Sequence, residues 1–242
     1  MKRGVLVWFS AGALAALGMA GEFALLDYRP GKAPVAAEGV LAALGGFRSL
    51  ATEAVWFRAD RLQEEGRYVE LAQLASTLAL LDPHTPEVWS YAAWNLAYNI
   101  SVMMPTPEDR WRWISAAMHL LRDEGLRLNP GDPDLCRELA WLFQLKIGGS
   151  LDSASPLYRE KWSEIVQDVS RRGAWHEIGM AESTMRQIER RYGIDDWRNP
   201  FASAIYWADV GLESATGATR SFLLEILRQS RRLFASSRHL AA

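Results

Sequence analysis

The sequence predicts an all-α chain of antiparallel helix pairs, and three observations lead to this prediction. Apolar residues recur at i, i+3, i+4 and i+7 along most of the chain after residue 47, which places them on single helix faces. No sustained alternation of polar and apolar residues indicates a strand. Two turns, Leu81-Asp82-Pro83 and Leu128-Asn129-Pro130, close predicted helices and are followed by further helices. This recurrence is typical of an α-solenoid with irregular repeats.

The N-terminal segment has the pattern of a membrane signal. Lys2 and Arg3 precede an uncharged run from Gly4 to Gly21, which is at the lower limit for spanning a bilayer. The positive flank favours a cytoplasmic start, so we expect residues 1–26 to form a signal anchor or transmembrane helix, with the body extracytoplasmic. The alternative is a signal peptide cleaved after Ala20, which would leave a secreted or periplasmic protein. Residues 27–46 lack periodicity and are predicted to be a linker.

The body, residues 47–238, is predicted to contain nine helices. Pro86 and Pro107 suit the first turn of a helix, and Thr106 suits the N-cap position before Pro107. Gly66 and Gly193 are expected to end helices. The predicted helices span about 48–65, 68–81, 86–100, 107–128, 133–147, 156–171, 178–192, 201–212 and 219–236.

The stretch from Gly66 to Pro83 resembles a tetratricopeptide repeat (TPR). If Gly66 opens the turn between two helices, the packing positions of such a repeat fall on Tyr68, Leu71, Ala75 and Leu78, and Pro83 closes the repeat. The resemblance covers roughly residues 48–171 and is loose beyond Pro83, because the spacing to the next closing proline, Pro130, is 47 residues rather than about 34. Residues 47–172 hold the clearest repeats, and residues 173–238 are divergent. The resemblance implies a binding scaffold whose concave face holds a protein or peptide.

Composition and motifs do not favour catalysis or nucleic-acid binding. The formal net charge is −2, so no global basic field favours nucleic acid. The single Cys136 excludes an intrachain disulfide framework and a cysteine-based zinc cluster, and the four histidines are too scattered for a metal site. No nucleophile elbow, P-loop or dinucleotide fingerprint is present. We expect no enzyme activity, no cofactor and no metal. A lytic enzyme working through Glu53, Glu138 or Glu177 remains an alternative.

The first candidate binding patch lies on the predicted helix 86–100. Residues three and four apart share a helix face, and the resemblance implies that this helix lines the concave surface. The alternative is a polar contact that holds neighbouring repeats in register. The patch comprises Tyr91, Trp94, Asn95, Tyr98 and Asn99.

Two further features come from the C-terminal part. Trp197 and Arg198 form a second candidate partner site, whereas the alternative is a helix start with Asn199 as N-cap and Pro200 at the first position. The last helix is rich in arginine, which could contact anionic lipid head groups or an acidic partner, or could simply be a solvated face. Its arginines are Arg220, Arg228, Arg231, Arg232 and Arg238.

Together these features predict a non-catalytic scaffold for protein–protein interaction, anchored in a membrane and accessory to a cell-envelope complex. The first alternative is an envelope protein that binds or processes glycans, since tryptophan rings are good sugar platforms. The second is a structural subunit of a membrane assembly, whose apolar faces would be buried by other subunits.

Overall fold

A computed structural model describes residues 48–67, 70, 74, 82–150 and 152–239. Within these residues the chain forms helices and turns and no strand, so the predicted all-α class is confirmed. The predicted anchor, the linker and most of the predicted helix 68–81 lie outside the described residues. No described helix combines the length and the apolarity that crossing a bilayer requires. The chain divides into two units, Met1–Pro83 and His84–Ala242.

The first unit contains α1, Arg48–Glu64. Gly66 follows with a φ of 70°, and the Arg67 N–H donates to the Leu62 carbonyl at 2.9 Å. A left-handed residue with this backward hydrogen bond is a common way to end a helix, and glycine adopts it without steric cost. The predicted turn at Gly66 is therefore confirmed. Phe57 is 76% exposed on the opposite side from the buried Ala59.

The second unit contains seven longer helices and a short 3₁₀ turn, Trp175–Ile178, in the described residues. Three of the helices, α2 (86–103), α3 (107–128) and α4 (133–147), are continuous but contain a π turn. The others are α5 (Ser155–Arg172), α6 (Glu182–Tyr192), α7 (Pro200–Leu212) and α8 (Gly217–His239).

The helix starts follow local sequence signals. The Thr106 hydroxyl accepts the Asp109 N–H at 3.1 Å, and the Asn199 side chain accepts the Phe201 N–H at 3.0 Å. Each of these caps precedes a proline at the first or second helical position, where its missing N–H costs nothing. The predicted starts of α3 and α7 are confirmed.

The π turns were not predicted. They cover Asn95–Ile100 in α2, Leu120–Gly125 in α3 and Leu142–Ile147 in α4. A π turn contains more residues than an α turn, so it rotates the side chains that follow it relative to a regular helix. Each turn carries at least one polar side chain that is buried, and these residues are Asn95, Arg122, Gln144 and Lys146.

The core of the second unit is built around α7. Every residue from 200 to 208 is buried, because α7 packs against α4, α8, α5 and α6. The α4 helix also packs on α2 and on α8. Gln144 on α4 donates to the Ile226 carbonyl at 3.0 Å and to the Ser230 hydroxyl at 2.9 Å, which fixes α8 against α4. The last two helices thus return to α4, and the two Gln144 contacts with α8 span 82 and 86 residues.

Candidate functional site

The aromatic face of α2 carries the first predicted patch. The rings of Trp94 and Tyr98 are stacked with centroids 5.8 Å apart, and Trp94 is 44% exposed. Val102 and Met103, one turn further along, are 50% and 54% exposed. Trp94, Tyr98 and Val102 follow one another at intervals of four residues on α2, and we call these three residues the aromatic strip. Tyr91, also in the predicted patch, is half-buried.

The two asparagines of the predicted patch support the helix. Asn95 is fully buried, and its side-chain amide donates to the Tyr91 carbonyl at 3.0 Å. Asn99 is half-buried and donates to the Asn95 side-chain oxygen at 2.6 Å. A buried amide must be hydrogen-bonded, and here local partners satisfy it. The predicted patch is therefore assembled as one cluster, but Trp94 is its most accessible member and Asn95 is closed to a partner.

A buried ion-pair cluster lies behind this face. The Lys146 Nζ is 2.9 Å from an Asp152 oxygen, and both side chains are 4% exposed. The Asp152 carboxylate also accepts hydrogen bonds from the Tyr158 hydroxyl at 2.9 Å, the Ala154 N–H at 3.0 Å and Arg110 at 3.1 Å. Burial would raise the pKa of Asp152, but the bonds from Ala154, Lys146 and Tyr158 lower it to about 2. The carboxylate therefore stays charged and fully engaged.

The cluster contacts the aromatic face through Lys146. Its Nζ lies 5.5 Å from the centroid of the Tyr98 ring, within the range of a cation–π contact. Burial, and to a lesser degree the charge of Glu138, raise the pKa of the Tyr98 hydroxyl. That hydroxyl is buried and has no hydrogen-bond partner among the described residues. The ring that supports Trp94 is thus held on its inner side by a fixed charge.

Lys146, Asp152 and Arg110 were not predicted as site residues. Lys146 follows an apolar stretch of α4, and Asp152 stands in a polar loop, so neither has a motif around it. The one available signal was a lysine at the end of an otherwise apolar helical stretch. The π turn places this lysine inside the protein rather than at its surface.

The second predicted pair, Trp197 and Arg198, lies before α7. Trp197 is buried to 8% exposure, and its indole N–H donates to Glu189 at 2.7 Å. Arg198 pairs with Asp196 at 2.8 Å. With Asn199 capping α7, the helix-start interpretation accounts for these residues. Arg198 and an edge of Trp197 still line an open groove of about 440 Å³ with residues of α5.

A third cluster lies on α3, where the sequence showed nothing. Arg122, whose side chain is 4% exposed, forms a two-point ion pair with Asp123 at 2.5 and 2.7 Å. The His119 ring lies 2.6 Å from Asp123. Burial opposes ionisation of Asp123, but the hydrogen bonds from His119 and Arg122 lower its pKa to about 2. This cluster borders a groove of about 420 Å³. The Arg122 chain fits because Gly179 leaves room where a Cβ would lie 2.7 Å from it.

The candidate catalytic carboxylates are engaged or open to solvent. Glu138 pairs with Arg137 at 2.8 Å, and Glu177 pairs with Arg172 at 2.6 Å. Glu53 is exposed on α1. Among the described residues, no group of three histidine, cysteine or acidic side chains is placed to hold a metal ion.

Comparisons with protein-family models, with curated proteins and with solved structures found no match to this chain. The candidate site is therefore judged on its geometry. That geometry combines an exposed aromatic strip on α2 with a rigid, fully paired charge cluster beneath it.

Proposed function

We propose that this protein is a non-catalytic helical-repeat scaffold that binds a protein partner at the aromatic strip of α2. In this proposal the N-terminal segment anchors the chain in a membrane, and the body lies outside the cytoplasm as an accessory of an envelope complex. The observation that carries the proposal is the exposure of Trp94, Val102 and Met103 on a helix whose remaining apolar residues are largely buried.

The strip has the properties of a binding hot spot. Tryptophan is enriched at the centres of interfaces, because it adds a large buried area with few rotatable bonds. The exposed part of Trp94 amounts to roughly 100 Å². At about 25 cal/mol per Å², covering this area contributes about 2.5 kcal/mol to binding. Such an area fits an apolar anchor residue on a helical or extended segment of the partner.

The strip is also preorganised. Trp94 stacks on Tyr98, and Lys146 holds the inner face of Tyr98. Since Lys146 is itself fixed by Asp152, the strip loses little side-chain freedom when a partner binds. This rigidity supports a binding surface more than a catalytic one.

The experiment that tests the proposal uses the full chain with an affinity tag, solubilised from membranes in mild detergent. Co-purifying proteins are quantified for the wild type, Trp94→Ala and Phe222→Ala. Phe222 is a matched control, because it is 46% exposed on the distant helix α8. Loss of a hot-spot anchor of about 2 kcal/mol corresponds to roughly 30-fold weaker retention.

The expected result is that Trp94→Ala loses a specific partner that both the wild type and Phe222→Ala retain. Retention of the same proteins by all three would refute a role for the strip. A bait that starts at Gly21 and is found in the soluble fraction would refute the anchor while leaving the strip testable.

A glycan-directed function is the second candidate, favoured by the exposed Trp94 ring on the helix that also carries the half-buried Asn99 amide. Flat rings bordered by amides bind sugars by stacking and hydrogen bonding. Retention of the wild type, but not of Trp94→Ala, on purified envelope glycan in the absence of protein would favour this function over the scaffold.

A further inference from the structure

A cationic groove lies between the end of α6 and the last turns of α8. Its volume is about 410 Å³, and no acidic side chain is among its lining residues. Three arginines from α8 line it, together with an apolar floor. The three arginines are Arg228, Arg231 and Arg232.

Two of these arginines carry unbalanced charge. Arg228 pairs with Glu225, whereas Arg231 and Arg232 have no acidic partner among the described residues. The Arg231 guanidinium lies 5.2 Å from the centroid of the Tyr192 ring, so it is held in place without being neutralised. Positioned guanidinium groups of this kind bind phosphate through paired N–H donors.

Two acidic groups beside the groove, Asp209 and Glu225, are already paired with arginines other than Arg231 and Arg232. Asp209 accepts the Tyr192 hydroxyl at 2.5 Å and pairs with Arg191 at 3.1 Å. These contacts occupy Asp209 and fix the Tyr192 ring on which Arg231 rests. The groove is therefore positively charged, and the Tyr192 ring that contacts Arg231 is held in place by Asp209.

The surroundings of the arginines are apolar as well as positive. Ile194 and Phe234 form a floor that is only 4% exposed, and Leu224, which shares a face of α8 with Arg228 and Arg231, is 42% exposed. A helix that presents arginine and exposed leucine together is typical of one that lies at a membrane interface. A free anion would use only the charge, and it would leave the exposed Leu224 without a role.

We propose that this groove takes the phosphate-bearing head group of an anionic phospholipid, so that α8 lies against a membrane surface. For the presence of a membrane, this inference rests on the anchored location proposed above. It adds a second membrane contact, at the opposite end of the chain from the predicted anchor.

The test uses the full chain with Ser236→Cys labelled by an environment-sensitive fluorophore. Ser236 is exposed in the last turn of α8, and the native Cys136 is buried and protected from the label. The protein is placed in nanodiscs of phosphatidylcholine, with or without phosphatidylglycerol, and a nitroxide lipid in both reports contact by quenching.

The variants are Arg231→Gln/Arg232→Gln and, as a control, Arg112→Gln/Arg171→Gln. The control removes the same net charge from arginines that are 79% and 77% exposed outside the groove. At about 1 kcal/mol for each basic residue near an anionic surface, the groove variant should lower the ratio of docked to undocked protein about 30-fold. The control should change it less than threefold.

We expect quenching of the wild type and the control only in discs with phosphatidylglycerol, and its loss in the groove variant. Equal quenching in both lipids, no quenching in either, or an equal loss in the control would overturn the proposal. Displacement of α8 from the lipid by inorganic phosphate would support recognition of a phosphate group by the groove. A fluorescence change with inorganic phosphate alone, without any dependence on the lipid, would overturn the assignment to a lipid. Entry into the discs without phosphatidylglycerol reports the anchor separately. If the chain does not enter them, capture by phosphatidylglycerol discs still tests the groove.

Discussion

Removal of Lys146 is expected to destabilise the fold much more than removal of a comparable surface lysine. The Lys146–Asp152 pair is 2.9 Å long with both side chains 4% exposed, and the Lys161–Glu164 pair is 2.8 Å long with side chains 37% and 55% exposed. Lys146→Met leaves a buried carboxylate without its main counter-charge, which costs roughly 3–5 kcal/mol. Lys161→Met breaks an exposed pair worth about 0–1 kcal/mol.

The structure places the Lys146→Met loss near the lower end of this range. Asp152 keeps the bonds from Ala154, Tyr158 and Arg110 when the lysine is removed, so we expect about 3 kcal/mol. Adding Asp152→Asn to Lys146→Met removes the uncompensated charge and should recover part of that loss.

The same cluster predicts a pH dependence. Burial raises and hydrogen bonds lower the pKa of Asp152, and the net value is about 2, against an ordinary value of 3.8. Because the folded-state pKa lies below the unfolded one, the stability that Asp152 contributes is present above pH 3.8. It is lost as the pH falls through about 2. The difference amounts to about 2 kcal/mol, and Asp152→Asn should abolish this part of the acid sensitivity.

The measurement is urea unfolding of the full chain in mild detergent, followed by tryptophan fluorescence and far-UV circular dichroism. Unfolding free energies of the wild type and the two lysine variants are compared at pH 7, and the wild type is compared with Asp152→Asn down to pH 2. Losses within about 0.5 kcal/mol of each other for the two lysine variants would refute the reasoning, because burial would then add nothing to the pair.

Three other predictions follow from packing and burial. Gly211→Ala should lower the free energy of unfolding by about 1–3 kcal/mol, because an added Cβ would lie 2.8 Å from the Cys136 Cβ. Gly125→Ala, where an added Cβ would have its nearest atoms at 3.3 Å, should be close to neutral in the same urea assay. Burial raises the pKa of the Cys136 thiol to about 12. At pH 8 a thiol reagent should therefore modify Cys136 only as fast as the protein unfolds, and rapid labelling of the native protein would contradict this. Trp162→Ala, at a fully buried position, should cost about 3–5 kcal/mol, and Trp94→Ala, at a half-exposed one, less than half as much.

The positions of the helices could be predicted because their signals are local. Proline in the first turn, a capping side chain before it and glycine after the last turn act within a few residues. Thr106, Asn199 and Gly66 therefore mark helix ends where the structure shows them. The end of α2 was placed three residues too early, at Ile100, because the π turn carries the helix on to Met103.

The buried charges could not be predicted because they depend on contacts distant in sequence. Arg110 reaches Asp152 across 42 residues, and Gln144 reaches Ser230 across 86. In a regular helix Lys146 would be assigned to a solvated end, and the apolar stretch before it is the one local sign of its burial. The return of α7 and α8 to α4 likewise exceeds the nearest-neighbour contacts on which a repeat-based prediction depends.

The π turns and the buried polar groups occur together, and this coincidence supports a functional origin. A π turn replaces well-formed helical hydrogen bonds, and burying Asn95, Arg122 or Lys146 costs free energy unless each is fully paired. Apolar residues in regular helices would stabilise the same core more simply. Departures from the simplest stable sequence concentrate where a protein acts, because function maintains them against their cost. The three π turns lie in consecutive helices, and the first of them, Asn95–Ile100, contains Tyr98 and directly follows Trp94. Under the function proposed above, the turn Asn95–Ile100 is the one whose cost bears on partner binding, because it contains Tyr98, on which Trp94 stacks.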